Sequence, residues 1–367
     1  MKSKYIYIDD ESPDALKSIV NGFNDIDLID VELLDLTKTK SFDQLKGTIL
    51  EKNPDGLIID LRLDGEGPNR LNFPATTLAQ DLRTMAASGS TRSIPIILCS
   101  TSAKMRSTYD IDKSSHDLFD YKFEKSLTPE WLKFSKKLQS LSCSYNWLSE
   151  KSRSIDEILN RTDLQLLDSR VFERFVDKEV QNQVNDIAQF VIKELFHHPG
   201  VLIKENVLAA RYGIDIEKSQ EGWVKIKKDL LNSGKYSGVF SDGWERWWAD
   251  KTESIFSANT SGLRLQELNA IQRIDNLGKI GFENLIPASP LPYCKSTEFW
   301  TICEAYKKPL DPLEGFKIYE TDEPKPWQEP KYISFGAELE RKGRDKGLRP
   351  HPSELERIKD LKEILSK

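Results

Sequence analysis

The sequence predicts an α/β protein: an N-terminal doubly wound parallel sheet, five strands alternating with five helices, then a mainly α region with irregular Pro-rich segments. Three observations carry that prediction. Short continuous apolar runs recur at 5–8, 57–59, 94–99 and 118–123, and the first three end directly in Asp or Ser. Between them, apolar residues fall three and four apart, the period of a helix. Beyond about residue 280 prolines crowd in, at 287, 290, 292, 309, 312, 324, 326 and 330, and regular patterning stops.

The elements follow in order. The run 5–8 ends in Asp9-Asp10, and Pro13 opens a helix whose Leu16, Ile19, Val20 and Phe23 share a face. A weaker strand covers 27–36. Phe42, Leu45 and Ile49 mark a second helix, closed by Asn53-Pro54. Residues 57–59 read as a buried strand running into Asp60. A polar, Gly-containing stretch, 64–72, precedes a third helix carrying Ala75, Leu78, Leu82 and Met85. The run 94–99 leads into Ser100-Thr101-Ser102, and 118–123 gives a fifth strand with Lys125 just beyond it. Leu127, Trp131, Phe134, Leu138 and Leu141 then form a helical stripe. Strands separated by helices require crossover connections, and hence a parallel sheet covered on both faces. Ligands of such sheets bind outside the carboxyl ends of the strands. Those ends carry Asp9, Asp10, Asp60, Ser100 and Lys125.

The Ser-rich stretch 143–154 is expected to be a linker. It separates a domain at 1–142 from a mainly helical one at 155–280, with a Pro-rich extension and C-terminal helix over 281–367. Val176, Val180, Val184, Ile187, Val191 and Leu195 predict a long amphipathic helix ended by Pro199-Gly200. Residues 205–212 before Gly213 read as a short glycine-capped helix. Ser219 caps another, with Trp223, Ile226 and Leu230 inward, and 236–244 suggest a hairpin. The pattern is reminiscent of a winged helix, with Lys225, Lys227 and Lys228 placed to meet phosphates. Glu217, Glu221 and Asp229 beside them favour a solvated face instead. Trp244, Trp247 and Trp248 predict a packed aromatic cluster. The basic run Arg341, Lys342, Arg344, Lys346 and Arg349 is expected to be a solvated loop, leaving nucleic acid a weakly supported partner. His197-His198 place cations near a helix end. No P-loop, nucleophile elbow or zinc-protease motif occurs in 151–367.

Composition narrows the class. Eight Trp, sixteen Phe and eleven Tyr in 367 residues are ample for real cores. No stretch approaches the roughly 20 apolar residues that span a bilayer, and the apolar run at the start is too short for a signal peptide. A cytoplasmic protein without a membrane partner is the expectation. The four Cys form no C-x-x-C pair and the four His no H-x-x-x-H, so neither a zinc site nor a disulfide framework is expected. Lys and Arg number 53 against 59 Asp and Glu, and the net charge of −6 argues against a protein that coats nucleic acid wholesale.

Four strings now stand in order at successive strand ends: Tyr5-Ile6-Tyr7-Ile8-Asp9-Asp10-Glu11, Leu57-Ile58-Ile59-Asp60-Leu61-Arg62-Leu63, Ile94-Pro95-Ile96-Ile97-Leu98-Cys99-Ser100 and Lys125. With them, residues 1–141 resemble the receiver domain of bacterial response regulators, the CheY-like, flavodoxin-like fold. The resemblance implies that Asp60 accepts a phosphoryl group. It implies a Mg²⁺ held by Asp9, Asp10, Asp60 and the backbone carbonyl of Arg62, with Lys125 and Ser100 contacting the phosphoryl oxygens. The chemistry agrees: two anions must approach, and a hard cation with oxygen ligands must lie between them. Departures from the family pattern are Asp64 where a proline is usual, Ser126 after the lysine, and Lys122 where an aromatic is usual, with Tyr121 or Phe123 as substitutes. The expected function is a phospho-accepting signalling protein of a bacterial phosphorelay that controls or buffers an interaction module, with anti-phage defence among its settings. A histidine kinase or phosphotransfer protein would donate, a protein partner would bind through the C-terminal region, and no enzyme activity is expected beyond turnover of the receiver's own phosphate. Two other readings stay open: a silent receiver-fold adaptor of a multi-protein complex, and a winged-helix DNA-binding regulator.

Overall fold

A computed structural model describes residues 2–39, 41–101, 105, 113–125, 130–175 and 183–366. Ser102, Ser126, Leu127, Val176 and Val180 lie outside the described residues. The chain divides into two compact units. The first comprises Met1–Thr162, Phe172–Lys193 and Ser237–Trp244, and the second Asp163–Val171, Glu194–Tyr236 and Glu245–Lys367.

The first unit is built on a five-stranded parallel sheet of β1 (Ser3–Ile8), β2 (Ile29–Leu33), β3 (Gly56–Asp60), β4 (Ile96–Ser100) and β5 (Tyr121–Glu124), in the order β2-β1-β3-β4-β5. Registers such as Ile8 with Ile59 and Asp60 with Cys99 align the carboxyl ends of the three central strands. Among the described residues four helices alternate with them: α1 (Pro13–Asn24), α2 (Phe42–Lys52), α3 (Ala75–Ala87) and α4 (Trp131–Glu150); much of the stretch between β4 and β5, where the fifth would fall, lies outside the described residues. Successive side chains of a strand point to opposite faces. Ile6, Ile8, Leu57, Ile59, Ile96 and Leu98 therefore share one core with Leu45 and Ile49 of α2 and Leu78 and Leu82 of α3. On the other face the Tyr5 hydroxyl donates to the Leu138 carbonyl of α4, and Phe23 of α1 packs edge-on against Phe123 and Trp131. Two glycines make room for these rings. A β-carbon on Gly56 would lie 2.2 Å from the Tyr5 ring, and one on Gly22 would lie 2.4 Å from Trp131. The helix ends follow local chemistry: Ser12 and Ser41 cap α1 and α2, and Asn53 closes α2 at φ 44°.

Three expectations need correction. The fifth strand starts at Tyr121, three residues late, because 113–118 coil into a 3-10 turn. The carbonyl of Leu118 there receives the Arg83 guanidinium, and the Asp120 carboxylate takes the Ile96 amide. The stretch 143–154 is not a linker. α4 runs on to Glu150 because Tyr145 and Leu148 continue the stripe of Leu138 and Leu141, and the buried Ser142 bonds back to the Gln139 carbonyl. Ser154 then caps the next helix, Ile155–Leu159. The hairpin at 236–244 is reduced to one antiparallel bridge, Lys235 with Trp247, where the Tyr236 amide donates to the Arg246 carbonyl; 237–244 fold as turns onto α4, with Phe240 at φ 65° donating its amide to Ser144 Oγ and Trp244 packing on Tyr121.

The second unit has two cores. One gathers Val207, Leu208, Trp223, Ile226, Trp247 and Phe256 around the helices Glu205–Arg211, Ile216–Asp229, Ala249–Asn259 and Ala270–Lys279. Trp247 and Trp248 pair with Leu202 and Ile203 as a two-stranded sheet, so these two tryptophans are core residues. Asp215, not Ser219, caps the second helix. The helix is broken at Gln220, whose dihedrals are non-helical, and Ser219 just before the break takes the Ile286 amide. The second core underlies a four-stranded sheet of Gly315–Lys317, Tyr332–Ser334, Thr301–Cys303 and Lys308–Leu310, where Pro spacing predicted irregular chain. Its strands are three residues long, too short to show a period. The helix Val184–Gln189 of the first unit passes into a π-helix over Phe190–Leu195; within the second unit His198 bonds Glu320. Glu217, Lys218, Glu221, Lys225, Lys228 and Asp229 are exposed on Ile216–Asp229, a face of mixed charge. Among the described residues no helix is long and apolar enough to cross a membrane.

Candidate functional site

The carboxyl edge of the parallel sheet collects carboxylates. β1 delivers Asp9 and Asp10, β3 delivers Asp60, and all three are buried. One oxygen from each lies within 4.8 Å of the others. Lys125, one residue beyond β5, places its ammonium 2.7 Å from Asp9 Oδ2 and 2.8 Å from Asp60 Oδ1. Its position is fixed through the backbone, where the Lys125 amide donates to the Ser100 carbonyl at the end of β4. Four strand ends thus converge on one set of charges.

Each carboxylate is held by local donors. Asp9 Oδ2 accepts from the Tyr7 hydroxyl at 2.7 Å, and Oδ1 from the Glu11 amide at 3.1 Å. Asp60 Oδ2 accepts from the Arg62 amide at 3.0 Å. Asp10 Oδ2 accepts from the Gly67 amide at 2.9 Å, while the Asn69 amide donates to the Asp10 carbonyl. The loop after β3 is therefore fastened down onto Asp10. Glycine is required there, since a β-carbon at Gly67 would lie 2.5 Å from the Asp10 carboxylate. Burial raises the Asp9 pKa, Lys125 lowers it, and Asp60 raises it again, with a net rise. For Lys125 burial acts downward, but Asp60 and Asp9 outweigh it and hold the ammonium well above its ordinary value.

These residues fit a divalent metal ion. The donor set is all oxygen, the preference of a hard cation. Lys125 by itself cannot neutralise three carboxylates, so a cation would offset charge that burial makes costly. A β-carbon at Gly65 would lie 3.0 Å from the Arg62 carbonyl and 3.1 Å from Asp10 Oδ2, so both oxygens border the same small space. That carbonyl also accepts from the Gly65 amide. Ser100 Oγ is completely buried, with no hydrogen-bond partner among the described residues, on the strand beside Asp60.

The sequence-predicted residues Asp9, Asp10, Asp60 and Lys125 meet directly, and Ser100 and Arg62 flank them. Of the departures, Asp64 pairs with Arg62 at 2.9 Å. Lys122 is exposed, whereas Phe123 is buried against Phe23 and Phe134. Tyr121 lies between Lys137, whose ammonium sits 4.4 Å from the ring centre, and Trp244. Sequence reasoning missed Tyr7 and Gly67. The signal for Tyr7 was its place two residues before Asp9, on the same face of the strand. For Gly67 it was the Gly65-Glu66-Gly67 spacing within a polar loop. No protein-family model matches this chain, and no curated protein matches it significantly.

Proposed function

We propose that the first unit is a phospho-accepting signalling domain of the receiver type, with a flavodoxin-like fold, in which Asp60 takes up a phosphoryl group. The observation that supports this reading is the meeting of Asp9, Asp10 and Asp60 at the carboxyl edge of a parallel sheet, with Lys125 bridging two of them. A carboxylate oxygen of Asp60 attacks the phosphorus of a phosphohistidine or acyl phosphate. The P–N or P–O bond of the donor breaks, and its electron pair leaves with the donor. Lys125 offsets charge on the transferred group, and the Ser100 hydroxyl donates to one of its oxygens. Asp9, Asp10, Asp60 and the Arg62 carbonyl would hold Mg²⁺, which when bound supplies the positive charge that lets two anions approach. The donor would be a histidine kinase or phosphotransfer protein, and the readout a protein partner reached through the rest of the chain.

The test is intact mass after incubation with acetyl phosphate and Mg²⁺. The wild type should gain one phosphoryl group, and Asp60→Asn should gain none while keeping its circular dichroism. Equal gain in the variant removes Asp60 as acceptor. No gain in the wild type leaves an adaptor built on a silent fold.

A further inference from the structure

Tyr7 is a tyrosine with no solvent exposure, one residue before the carboxyl end of β1. Among the described residues its hydroxyl bonds Asp9 Oδ2 at 2.7 Å and lies 3.6 Å from Cys99 Sγ on β4. A phenol carries one proton, and the charged oxygen at the shorter distance receives it. The same Asp9 oxygen is the one that Lys125 binds at 2.7 Å. Phenol and ammonium therefore converge on Oδ2 and fix the plane of the carboxylate, while Oδ1 receives the Glu11 amide.

We propose that Tyr7 is a positioning residue of the cation site: its hydroxyl orients Asp9, and through Asp9 it keeps Lys125 shared with Asp60. The inference rests on the reading of Asp9, Asp10 and Asp60 as a divalent-cation site. Donors to a ligating carboxylate set its orientation, and their loss lowers metal affinity by about tenfold or more. A structural tyrosine would contribute packing and one hydrogen bond only.

Tyr5 separates these roles. It lies on the same strand and the same face, is equally buried, and spends its hydroxyl on the Leu138 carbonyl, away from the carboxylates. The experiment follows the thermal midpoint of the full chain as Mg²⁺ is raised, for the wild type, Tyr7→Phe and Tyr5→Phe. Both variants keep the ring. The expected result is that Tyr7→Phe needs about tenfold more Mg²⁺ for half of the shift, whereas Tyr5→Phe lowers the starting midpoint and leaves the Mg²⁺ half-point unchanged. The inference is overturned if Tyr7→Phe follows the wild-type curve, if Tyr5→Phe moves the half-point equally, or if the wild type does not respond to Mg²⁺. A wild type that responds to Mg²⁺ but takes no phosphate from acetyl phosphate would sink the proposed phospho-acceptor and leave Tyr7 in its role.

Discussion

Two buried charge clusters lie at opposite edges of the same parallel sheet, and they obey different rules. At the amino edge Arg83 meets Asp120 at 2.7 Å, one cation for one anion. Arg83 also bonds the Ile94 and Leu118 carbonyls, and Asp120 takes the Tyr145 hydroxyl and the Ile96 amide. That cluster ties α3, β4, the start of β5 and α4 into one body. At the carboxyl edge three carboxylates crowd within 4.8 Å, and Lys125 bridges two of them. A balanced, saturated cluster fixes structure. Crowded acids cost stability that folding alone has no use for, and such arrangements mark sites where chemistry or binding recovers the cost.

The largest expected effect tests the balanced edge. Arg83→Met would leave Asp120 buried without its ion partner, and the loss should be about 3–5 kcal/mol. Urea unfolding of the full chain, with hydrogen exchange read on the β4 and β5 amides, measures it. A loss below about 1 kcal/mol would mean that the amino-edge cluster does not staple these elements together. Mg²⁺ should restore none of the loss.

Lys125→Met is the matching change at the acidic edge, and there the two clusters should part. Without Mg²⁺ the cost should be about 3 kcal/mol, because three carboxylates remain buried without the ammonium. Added Mg²⁺ should recover much of it, since a divalent cation can replace the missing charge. If the Lys125→Met loss proves as insensitive to Mg²⁺ as that of Arg83→Met, the distinction between the edges collapses.

The contrast also shows what the sequence can reveal. Asp9, Asp10, Asp60 and Lys125 were legible because each closes a short apolar run, and strand ends of a parallel sheet share one edge. Asp120 was not, because it precedes its strand and its partners Arg83 and Tyr145 stand 37 and 25 residues away. The serines of 143–154 misled for a related reason: polar composition suggested a linker, yet the stripe through Tyr145 and Leu148 carries the helix on to Glu150. The four-stranded sheet of the second unit escaped notice because three-residue strands, one containing Pro309, show no alternation.

A third ionic group, in the second unit, extends the comparison to pH. Glu320 bonds His198 at 3.1 Å and Lys331 at 2.7 Å. Burial raises its pKa, but the bonds to His198 and Lys331 outweigh that and bring it from 4.5 to about 2. Between those values the unfolded chain binds the proton more tightly. The stabilisation is therefore present above about pH 4.5 and is lost as pH falls towards 2, amounting to about 3 kcal/mol. Glu320→Gln should flatten that part of the stability profile of the second unit. An unchanged slope would show that Glu320 does not behave as a balanced, paired acid.

The smallest effect has the opposite sign and bears most directly on the acidic edge. Asp10→Asn keeps an oxygen for the Gly67 amide but removes one charge from the three within 4.8 Å. Without Mg²⁺ the variant should be more stable than the wild type by about 1 kcal/mol, as repulsion and desolvation both fall. Mg²⁺ should reverse the order. Binding stabilises the wild type by RT ln(1 + [Mg²⁺]/Kd), so a deficit of about 1 kcal/mol is overcome once free Mg²⁺ passes roughly four to five times Kd. The two stability curves should therefore cross in a Mg²⁺ titration, at a concentration fixed by the wild-type affinity. Arg83→Met and wild type should never cross, because no ligand replaces that partner. If Asp10→Asn is instead less stable than the wild type without Mg²⁺, the acids at the carboxyl edge are structural partners, and the two edges of the sheet differ in composition but not in purpose.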